Sequence, residues 1–319
     1  MKITVLDGFA ANPGDISWDG LEHLGDVSIY ERTAREDVAR RIGDSDAVLT
    51  NKVAITREII AACPNLRYIG VLATGYNIVD LEAATERGIC VTNIPGYSTD
   101  SVAQMVFAHI LEATLRVGSH NRAVKEGQWA ASQDFCFWNY PLTELKGKTL
   151  GIIGLGSIGR AVAKIALAFQ MRVMGTSRTE KQVEGVEYVS LDRLLSHADI
   201  ISLHCPLTEE TAGIICEKNI LKMKNGVMLV NTGRGQLVSE EDILKYLDNG
   251  RIRCYMADVL AEEPPAQDNR LVQHPHAIIT PHIAWATLEA RRRLMDIAVE
   301  NLEAWLEGRH KNCVNGFPF

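Results

Sequence analysis

The chain has 319 residues, of which 46% are hydrophobic and 23% are charged. That length is enough for two domains, because single domains usually hold about 100 to 200 residues. The net charge of −7 argues against a nucleic-acid surface, and the one short basic cluster, residues 291–293, lies on a helical pattern. We therefore expect a folded protein with no nucleic-acid partner.

Seven cysteines are scattered along the chain, at residues 63, 90, 136, 205, 216, 254 and 313, with no C-x-x-C pair. An odd, unpaired set favours free thiols in a reducing compartment over a disulfide framework or a zinc site. The chain enters a strand pattern directly after Met1, and no apolar run reaches the about 20 residues of a membrane helix. These features predict a cytoplasmic protein with no membrane association.

The first hundred residues alternate between apolar strand patterns and helical stretches. The predicted strands are Lys2–Asp7, Val27–Tyr30, Ala47–Thr50, Tyr68–Leu72 and Cys90–Thr92, and the predicted helices are 35–42 and 56–62. Such alternation indicates a parallel sheet covered on both faces. Polar clusters at 50–52 and 73–77 follow two of these strands, at the sheet edge where α/β proteins bind ligands.

A long apolar helix, Thr99–Val117, is predicted to lead into a second domain after the break at Pro95 and Gly96. His109 on this helix is interpreted as a core or surface histidine. Residues 128–141 are rich in aromatic and turn residues. Exposed apolar clusters of this kind often form subunit contacts, although a loop folded over its own domain is an alternative. We favour a homodimer contact.

The stretch TLGIIGLGSIGR, residues 149–160, has the order strand, glycine-rich turn and helix. The predicted strand is Leu150–Ile153 and the predicted helix is 160–169. Gly154 would make the tight turn, Gly156 would let a pyrophosphate touch the backbone, and Gly159 would let helix and strand pack closely. A glycine-rich turn without a ligand is the alternative. The order of the elements favours a dinucleotide site at the helix N-terminus.

The alternation continues after this turn. The predicted strands are Arg172–Thr176, Asp199–His204, Val227–Asn231, Tyr255–Val259 and Ala277–Thr280, and the predicted helices are 191–196, 240–247 and 286–306. We expect the last helix to return to the first domain. The predicted fold class is α/β, with two doubly wound parallel sheets. A Rossmann cofactor domain, residues 98–286, is inserted in a flavodoxin-like substrate domain, residues 1–97 and 287–319.

The end of the strand after the glycine-rich turn indicates which nicotinamide is preferred. An acidic residue there normally binds the adenine-ribose hydroxyls of NAD, but this chain has Ser177 followed by Arg178. A neutral residue followed by a guanidinium suits a 2′-phosphate. The pattern favours NADP(H) over NAD(H); the alternative is that Arg178 only covers the adenine face.

Arg234, Glu263 and His282 each follow the carboxyl end of a predicted strand in this second domain. They are therefore expected to converge on the cofactor crevice. A guanidinium can hold a substrate carboxylate and polarise the neighbouring carbonyl. An imidazole oriented by a carboxylate can donate a proton to that carbonyl oxygen as hydride reaches the carbon. These residues predict hydride transfer to a small 2-oxo acid.

His274 and His276 raise the possibility of a metal site together with His282. Pro275 and the lack of a nearby acidic or cysteine ligand disfavour it, and a carbonyl polarised by Arg234 needs no metal. We predict no metal site.

The ordered motifs LATGYNIVD, NIPGYSTDSVA, GIIGLGSIGR, HCPLT, VNTGRG, ADVLAEEP and TPHIAW span essentially the whole chain. Together they resemble the D-isomer-specific 2-hydroxyacid dehydrogenases, most closely the branch of the glycerate dehydrogenases or hydroxypyruvate reductases. The resemblance implies reduction of hydroxypyruvate to D-glycerate, and of glyoxylate to glycolate, by an NAD(P)-dependent homodimer built through its cofactor domains. It also implies that Arg234, Glu263 and His282 are the catalytic residues.

The expected binding residues fall into two groups. The cofactor residues are Gly154, Gly156, Ser157, Ile158, Gly159, Ser177, Arg178, Cys205, Pro206, Thr232 and Asp258, with Asp258 on the nicotinamide carboxamide. The substrate residues are Asn51, Ala73, Thr74, Gly75, Arg234, His282 and Trp138, with Trp138 reaching toward the partner subunit's pocket. Backbone groups around residues 73–75 are expected to receive the substrate carboxylate.

Two other functions share this architecture. One is a nicotinamide-sensing binding protein that resembles transcriptional corepressors, and the other is a family member that acts on another 2-oxo acid, formate or phosphite. Retention of all three catalytic residues favours the enzyme over the corepressor.

Overall fold

A computed structural model describes residues 1–180 and 182–316 and divides the chain into two compact units. The first unit comprises Met1–Ser98 with Ala286–Phe319, and the second comprises Thr99–Trp285. Each contains one sheet.

The first unit is built on five parallel strands. They are β1 Lys2–Val5, β2 Asp26–Ile29, β3 Ala47–Thr50, β4 Tyr68–Val71 and β5 Cys90–Thr92, in the order β2-β1-β3-β4-β5. Five short helices connect them: α1 Gly8–Ala11, α2 Asp19–Glu22, α3 Val38–Ile42, α4 Arg57–Ala62 and α5 Leu81–Glu86. Strands β3 and β4 are buried along their whole length, because helices cover both faces of a parallel sheet.

The second unit is built on seven parallel strands. They are β6 Thr149–Ile153, β7 Arg172–Thr176, β8 Val186–Tyr188, β9 Ile200–Leu203, β10 Val227–Asn231, β11 Ile252–Ala257 and β12 Ala277–Ile279, in the order β12-β11-β10-β9-β6-β7-β8. Its helices are α6 Thr99–Leu115, α7 Val117–Lys125, α8 Ser157–Ala168, α9 Leu191–His197, α10 Glu217–Ile220, α11 Glu240–Asp248 and α12 Arg270–Gln273. The strand order reverses between β6 and β9, so a ligand crevice is expected at their carboxyl ends.

The last helix, α13 Leu288–Leu306, belongs to the first unit and packs on β4 and α2. Its Asn301 amide donates to the carbonyl of Asn93 over 2.9 Å. The segment beyond it returns to the sheet edge, where Cys313 forms an antiparallel bridge with Thr92.

The predicted α/β class with two doubly wound parallel sheets is confirmed. Several predicted helix bounds were wrong, including that of the last helix, which begins at Leu288 rather than at residue 286, and two of the differences have a clear cause. The helix after the glycine-rich turn begins at Ser157 rather than Arg160, because the turn itself supplies the first helical residues. The predicted 99–117 helix ends at Leu115, since Arg116 adopts a left-handed conformation with φ 51° and a second helix follows. In the described part of the chain, no helix has the length and apolarity to cross a membrane.

Candidate active site

The glycine-rich turn follows β6 and lies against two neighbouring segments. Gly154 has φ +106°, and its N–H donates to the carbonyl of Thr176, the last residue of β7, over 2.8 Å. A methyl group at Gly154 would lie 2.4 Å from the carbonyl carbon of His204 and 2.5 Å from the nitrogen of Cys205. Only glycine fits this position, and its contacts bring the segments that contain Ser177 and Cys205 to the turn.

The other two glycines of the turn meet different surroundings. A methyl group at Gly159 would lie 2.0 Å from the carbonyl oxygen of Gly154, so helix α8 packs directly on the turn. A methyl group at Gly156 would meet nothing within 4 Å. Gly156 is the N-cap of α8 and no side chain caps the helix, which leaves the first N–H groups, at Ser157 and Ile158, for a ligand. Open space beside uncapped N–H groups fits a dinucleotide pyrophosphate.

Ser177 and Arg178 follow β7 directly. The Ser177 hydroxyl donates to the carbonyl of Thr179 over 2.6 Å, and the Tyr188 hydroxyl donates to the carbonyl of Ser177 over 2.5 Å. Arg178 is exposed, with no hydrogen bond or ion pair to the rest of the described chain. The loop is therefore fixed, and a guanidinium is available on its surface.

The loop after β10 contains Thr232 and Arg234. The Thr232 hydroxyl is buried and has no hydrogen-bond partner within residues 1–180 and 182–316, as expected of a group that awaits a ligand. Asn231 fixes the loop, because its amide donates to the carbonyl of Arg234 over 2.8 Å and its oxygen accepts from the N–H of Gly233. Arg234 is exposed, and within residues 1–180 and 182–316 its guanidinium makes one hydrogen bond, 2.7 Å long, to the carbonyl of Gly233.

The next residue, Gly235, brings this loop to the one after β11. A methyl group at Gly235 would lie 1.9 Å from the carbonyl carbon of Leu260, so the two backbones touch. The Gln236 amide adds a 2.8 Å hydrogen bond to the carbonyl of Ala261. The loop of Arg234 therefore packs on the segment that leads to Glu263.

A hydrogen bond joins Glu263 and His282. Oε2 of Glu263 lies 2.6 Å from Nδ1 of His282, while Oε1 accepts from the N–H of Leu260 over 2.9 Å. Both side chains are partly exposed, at 35% and 28%. Because Nδ1 is bonded to Glu263, Nε2 of His282 remains available for a substrate and can carry a transferable proton. The structure thus places a carboxylate on the imidazole, and the role of His282 as proton donor stays a prediction.

Asp258 is almost fully buried and is bonded mainly within the protein. It is 1% exposed, and its carboxylate accepts from the Thr280 hydroxyl over 2.6 Å and from the N–H groups of Ile283 and Ala284 over 2.9 and 2.7 Å. Three of its about four acceptor sites are thus used within the protein. Contact with the carboxamide remains a prediction, and the structure adds a second role, holding residues 280–284.

Cys205 and Pro206 follow β9. The N–H of His204 donates to the carbonyl of Ile153 over 2.7 Å, which aligns this loop with the end of β6. Burial raises the pKa of the Cys205 thiol, so the group is neutral and suits an apolar contact.

In the first unit, Asn51 is buried at the end of β3. Its N–H donates to the Asp7 carboxylate over 2.8 Å and its amide donates to the carbonyl of Leu72 over 2.6 Å. Its amide oxygen has no partner among the residues described. Asn51 therefore fixes the loop after β4 and retains an unsatisfied acceptor.

The loop 73–75 is fixed mainly through its carbonyls and one hydroxyl. The carbonyl of Ala73 accepts from Ile94, the carbonyl of Thr74 accepts from the Asn93 amide, and the Thr74 hydroxyl donates to the carbonyl of Ile94 over 3.0 Å. No partner within the described ranges occupies the N–H groups of Thr74 and Gly75. The loop can thus present backbone donors to an anion.

Trp138 lies in the aromatic segment, defined as residues 128–141, and is 66% exposed. Phe135 is 89% exposed and Trp129 is 53% exposed. The segment has its own internal bonds, such as the 2.9 Å bond from the Trp129 indole to the carbonyl of Phe135. Its large aromatic side chains therefore remain at the surface of the single chain.

No role was predicted for Thr280, and His109 was interpreted only as a core or surface histidine. The Thr280 hydroxyl bonds Asp258, and the buried His109 ring lies 3.1 Å from the same hydroxyl. The position of Thr280 two residues before His282 was the available signal for the first. The placement of His109 between apolar neighbours on α6 was the signal for the second. Of His274, His276 and His282, the first bonds Asp248 and the last bonds Glu263, and no metal-binding group of three occurs among the described residues.

The model of the D-isomer specific 2-hydroxyacid dehydrogenase NAD-binding domain matches residues 107–284. A hydroxypyruvate reductase of Blautia hydrogenotrophica is 50% identical over 99% of this chain and 100% of that protein. A glyoxylate reductase of Thermofilum pendens is 38% identical over 90% of this chain and 87% of that protein. A solved acyclic imino acid reductase in complex with NADPH and D-Arg is 31% identical, with a TM-score of 0.87 over 98% of this chain and 100% of that one. The chain therefore belongs to the D-isomer specific 2-hydroxyacid dehydrogenase family, a nicotinamide-dependent oxidoreductase family, as its motifs predicted.

Proposed function

We propose that this protein reduces hydroxypyruvate to D-glycerate and, as a second substrate, glyoxylate to glycolate. The observation that carries the proposal is the 2.6 Å hydrogen bond between Glu263 and His282. Both residues follow strands of the sheet that also contains β6, the strand before the glycine-rich turn. The names of two relatives, a hydroxypyruvate reductase and a glyoxylate reductase, support the choice of substrate.

The proposed roles follow from the side-chain chemistry. A bound nicotinamide supplies hydride to carbon 2 of the substrate. His282 donates a proton to the carbonyl oxygen, and Glu263 stabilises the protonated ring and keeps it oriented. Arg234 binds the substrate carboxylate and polarises the carbonyl with its planar fork. The uncapped N-terminus of α8 and the Thr232 hydroxyl are the proposed cofactor contacts.

The first unit contributes to substrate binding in this proposal. The N–H groups of Thr74 and Gly75 would donate to the substrate carboxylate, and the loop is held in shape by Asn51 through Leu72. Backbone donors suit an anion because they need no reorganisation when the ligand arrives.

We infer a preference for NADPH over NADH from Ser177 and Arg178. No carboxylate stands at the end of β7 to repel a 2′-phosphate, and the Arg178 guanidinium is exposed beside it. The solved relative that contains NADPH shows that the fold can hold this cofactor in another protein. A kcat/KM ratio for NADPH over NADH well below one would contradict the inference.

We also infer that the aromatic segment joins two copies of the chain through the cofactor domains. Three aromatic side chains more than half exposed on one segment form a surface that water disfavours. Replacing Phe135 and Trp138 with Asp should convert a dimer into a monomer in sedimentation analysis. A wild-type molecule that sediments as a monomer would contradict this assignment. The seven free cysteines fit a reducing compartment, and we propose the cytoplasm.

The activity is tested with a panel of 2-oxo acids assayed against both reduced nicotinamides. We expect the highest kcat/KM with hydroxypyruvate, followed by glyoxylate. Formate and phosphite, which would reduce the oxidised cofactors, should give no turnover. Absence of turnover with every substrate, together with tight nicotinamide binding, would favour a cofactor-sensing protein and overturn the proposal.

A further inference from the structure

The buried ring of His109 lies on α6, far along the sequence from the loop of His282. It is 3% exposed, and the helix around it packs through apolar side chains on α8, β10 and β11. Nε2 of His109 lies 3.1 Å from the hydroxyl oxygen of Thr280, just past the end of β12. Nδ1 has no partner within residues 1–180 and 182–316, although it is buried.

The hydrogen bonds around Thr280 determine which ring nitrogen is protonated. The Thr280 hydroxyl donates its single hydrogen to the Asp258 carboxylate over 2.6 Å, because an ionised carboxylate can only accept. The same oxygen must then accept from His109, so Nε2 of His109 carries the hydrogen. Burial lowers the pKa of His109, which agrees with a neutral ring that has one proton.

The chain of hydrogen bonds continues from Asp258 to the backbone that directly follows His282 in the sequence. Asp258 accepts from the N–H groups of Ile283 and Ala284, the two residues that follow His282. His282 itself has φ +55°, a left-handed conformation that a side chain with a Cβ rarely adopts. Such a conformation persists only when the surroundings impose it, and the bonds of Asp258 fix the backbone directly after His282, while Glu263 bonds the ring itself.

We propose that His109 is a positioning residue for His282, acting through the Thr280 hydroxyl and the Asp258 carboxylate on the backbone of residues 283 and 284. The buried Nδ1, without a partner among the described residues, lowers the stability of the fold. A leucine at this position would bury no unpaired nitrogen and would avoid that cost. The inference rests on the proposed role of His282 as proton donor.

The test compares four single variants and one double variant of the full chain, with His282→Asn as the reference. His109→Leu removes the donor, His109→Gln retains an N–H near the Nε2 position, and His109→Asn retains an amide that is too short to reach. Thr280→Val removes the central hydroxyl. For each variant, kcat and KM are measured with hydroxypyruvate, NADPH binding is measured by fluorescence without substrate, and Tm is recorded.

We expect His109→Leu to lower kcat about 10- to 100-fold, since a displacement of about 1 Å can have that effect. KM should change less than kcat, and Tm should hold or rise. His109→Gln should recover most of kcat. The loss in the His109→Leu/Thr280→Val double variant should be close to that of one single variant, because both break the same chain.

A wild-type kcat in His109→Leu would overturn the inference, and so would a lowered Tm with unchanged kcat. If His109→Leu does not fold, the Gln and Asn variants decide: a high kcat in Gln and a low one in Asn supports the inference, and equal values contradict it. His282→Asn serves as the reference. If both His282→Asn and His109→Leu retain wild-type activity, the proposed function has failed. If His282→Asn is inactive and His109→Leu retains wild-type activity, only the role of His109 has failed.

Discussion

Oε2 of Glu263 lies 2.6 Å from Nδ1 of His282, and the other oxygen of the same carboxylate accepts from the N–H of Leu260. One carboxylate thus ties the imidazole to the loop after β11. That loop is in turn in contact with the loop of Arg234, through Gly235 and the backbone of Leu260. The candidate catalytic groups are therefore connected through backbone contacts as well as through their placement on one sheet.

Glu263→Gln should lower kcat about 10- to 100-fold with hydroxypyruvate. Glutamine can still accept from the N–H of Leu260, but it lacks the negative charge that stabilises the protonated ring of His282. The measurement is steady-state kinetics at saturating cofactor. The exposed neighbour Glu262 provides the control, since Glu262→Gln should keep a wild-type kcat. Equal activity in the two variants would count against the pair.

Arg234→Lys should raise KM for the 2-oxo acid at least about tenfold. A lysine ammonium is a point charge and cannot replace two parallel N–H donors to a carboxylate. The matched control is Arg172→Lys, an exposed arginine at the opposite end of the sheet, at the start of β7. A KM unchanged in Arg234→Lys would show that the guanidinium does not bind the substrate.

Two alanine substitutions in the glycine-rich turn should have different effects. Gly159→Ala places a methyl group 2.0 Å from the carbonyl oxygen of Gly154, so the variant should unfold at lower temperature or fail to fold. Gly156→Ala meets no atom within 4 Å, so it should keep the wild-type Tm while its nicotinamide Kd rises. Calorimetry measures the Tm of each variant, and cofactor titration measures its nicotinamide Kd. A wild-type cofactor Kd in Gly156→Ala would contradict the assignment of the pyrophosphate site.

Central strands were predictable where they are short, continuous apolar runs, but β8 Val186–Tyr188 was not predicted, and the prediction Tyr255–Val259 was wrong because β11 spans Ile252–Ala257. Ala47–Thr50 and Val227–Asn231 have the bounds that the sequence indicated, since both faces of these central strands are buried. Arg116 was not predictable as the end of α6, because an arginine has no intrinsic preference for a left-handed conformation. Short helices such as α2 offer too few turns to show a period.

The candidate site was predictable where function depends on residue type and strand position. Arg234, Glu263 and His282 follow three strands whose carboxyl ends share one edge. The 2.6 Å bond joins His282 to Glu263 across 19 positions, and Asp258 bonds the residue after His282 across 25 positions. No local pattern indicates these contacts or the left-handed φ of His282. The same holds for His109, which meets Thr280 across 171 positions of sequence.

Stability should fall as the pH decreases from about 6.5 toward 4, partly because of His204. Burial lowers the pKa of His204 to about 4 from its ordinary 6.5. Below pH 6.5 the unfolded chain therefore binds a proton that the folded chain excludes, which destabilises the fold by about 1 to 2 kcal/mol at pH 5.

His204→Gln can keep the bond that His204 makes to the Ser202 hydroxyl and should flatten this pH dependence. The exposed His23 provides the control, since His23→Gln should leave the slope unchanged. Denaturant unfolding at pH 7 and pH 5 gives the free energy of unfolding at each pH, and the difference between the two is the pH slope. An identical slope in wild type and His204→Gln would contradict the assignment.

The most direct test of the account is the kcat of His282→Asn with hydroxypyruvate and NADPH, combined with the NADPH Kd of the same variant. Asparagine tolerates the left-handed backbone at this position but cannot donate a proton as imidazolium does. The account predicts a kcat about 100- to 10,000-fold below wild type with a nearly unchanged Kd. A kcat within about threefold of wild type would contradict it.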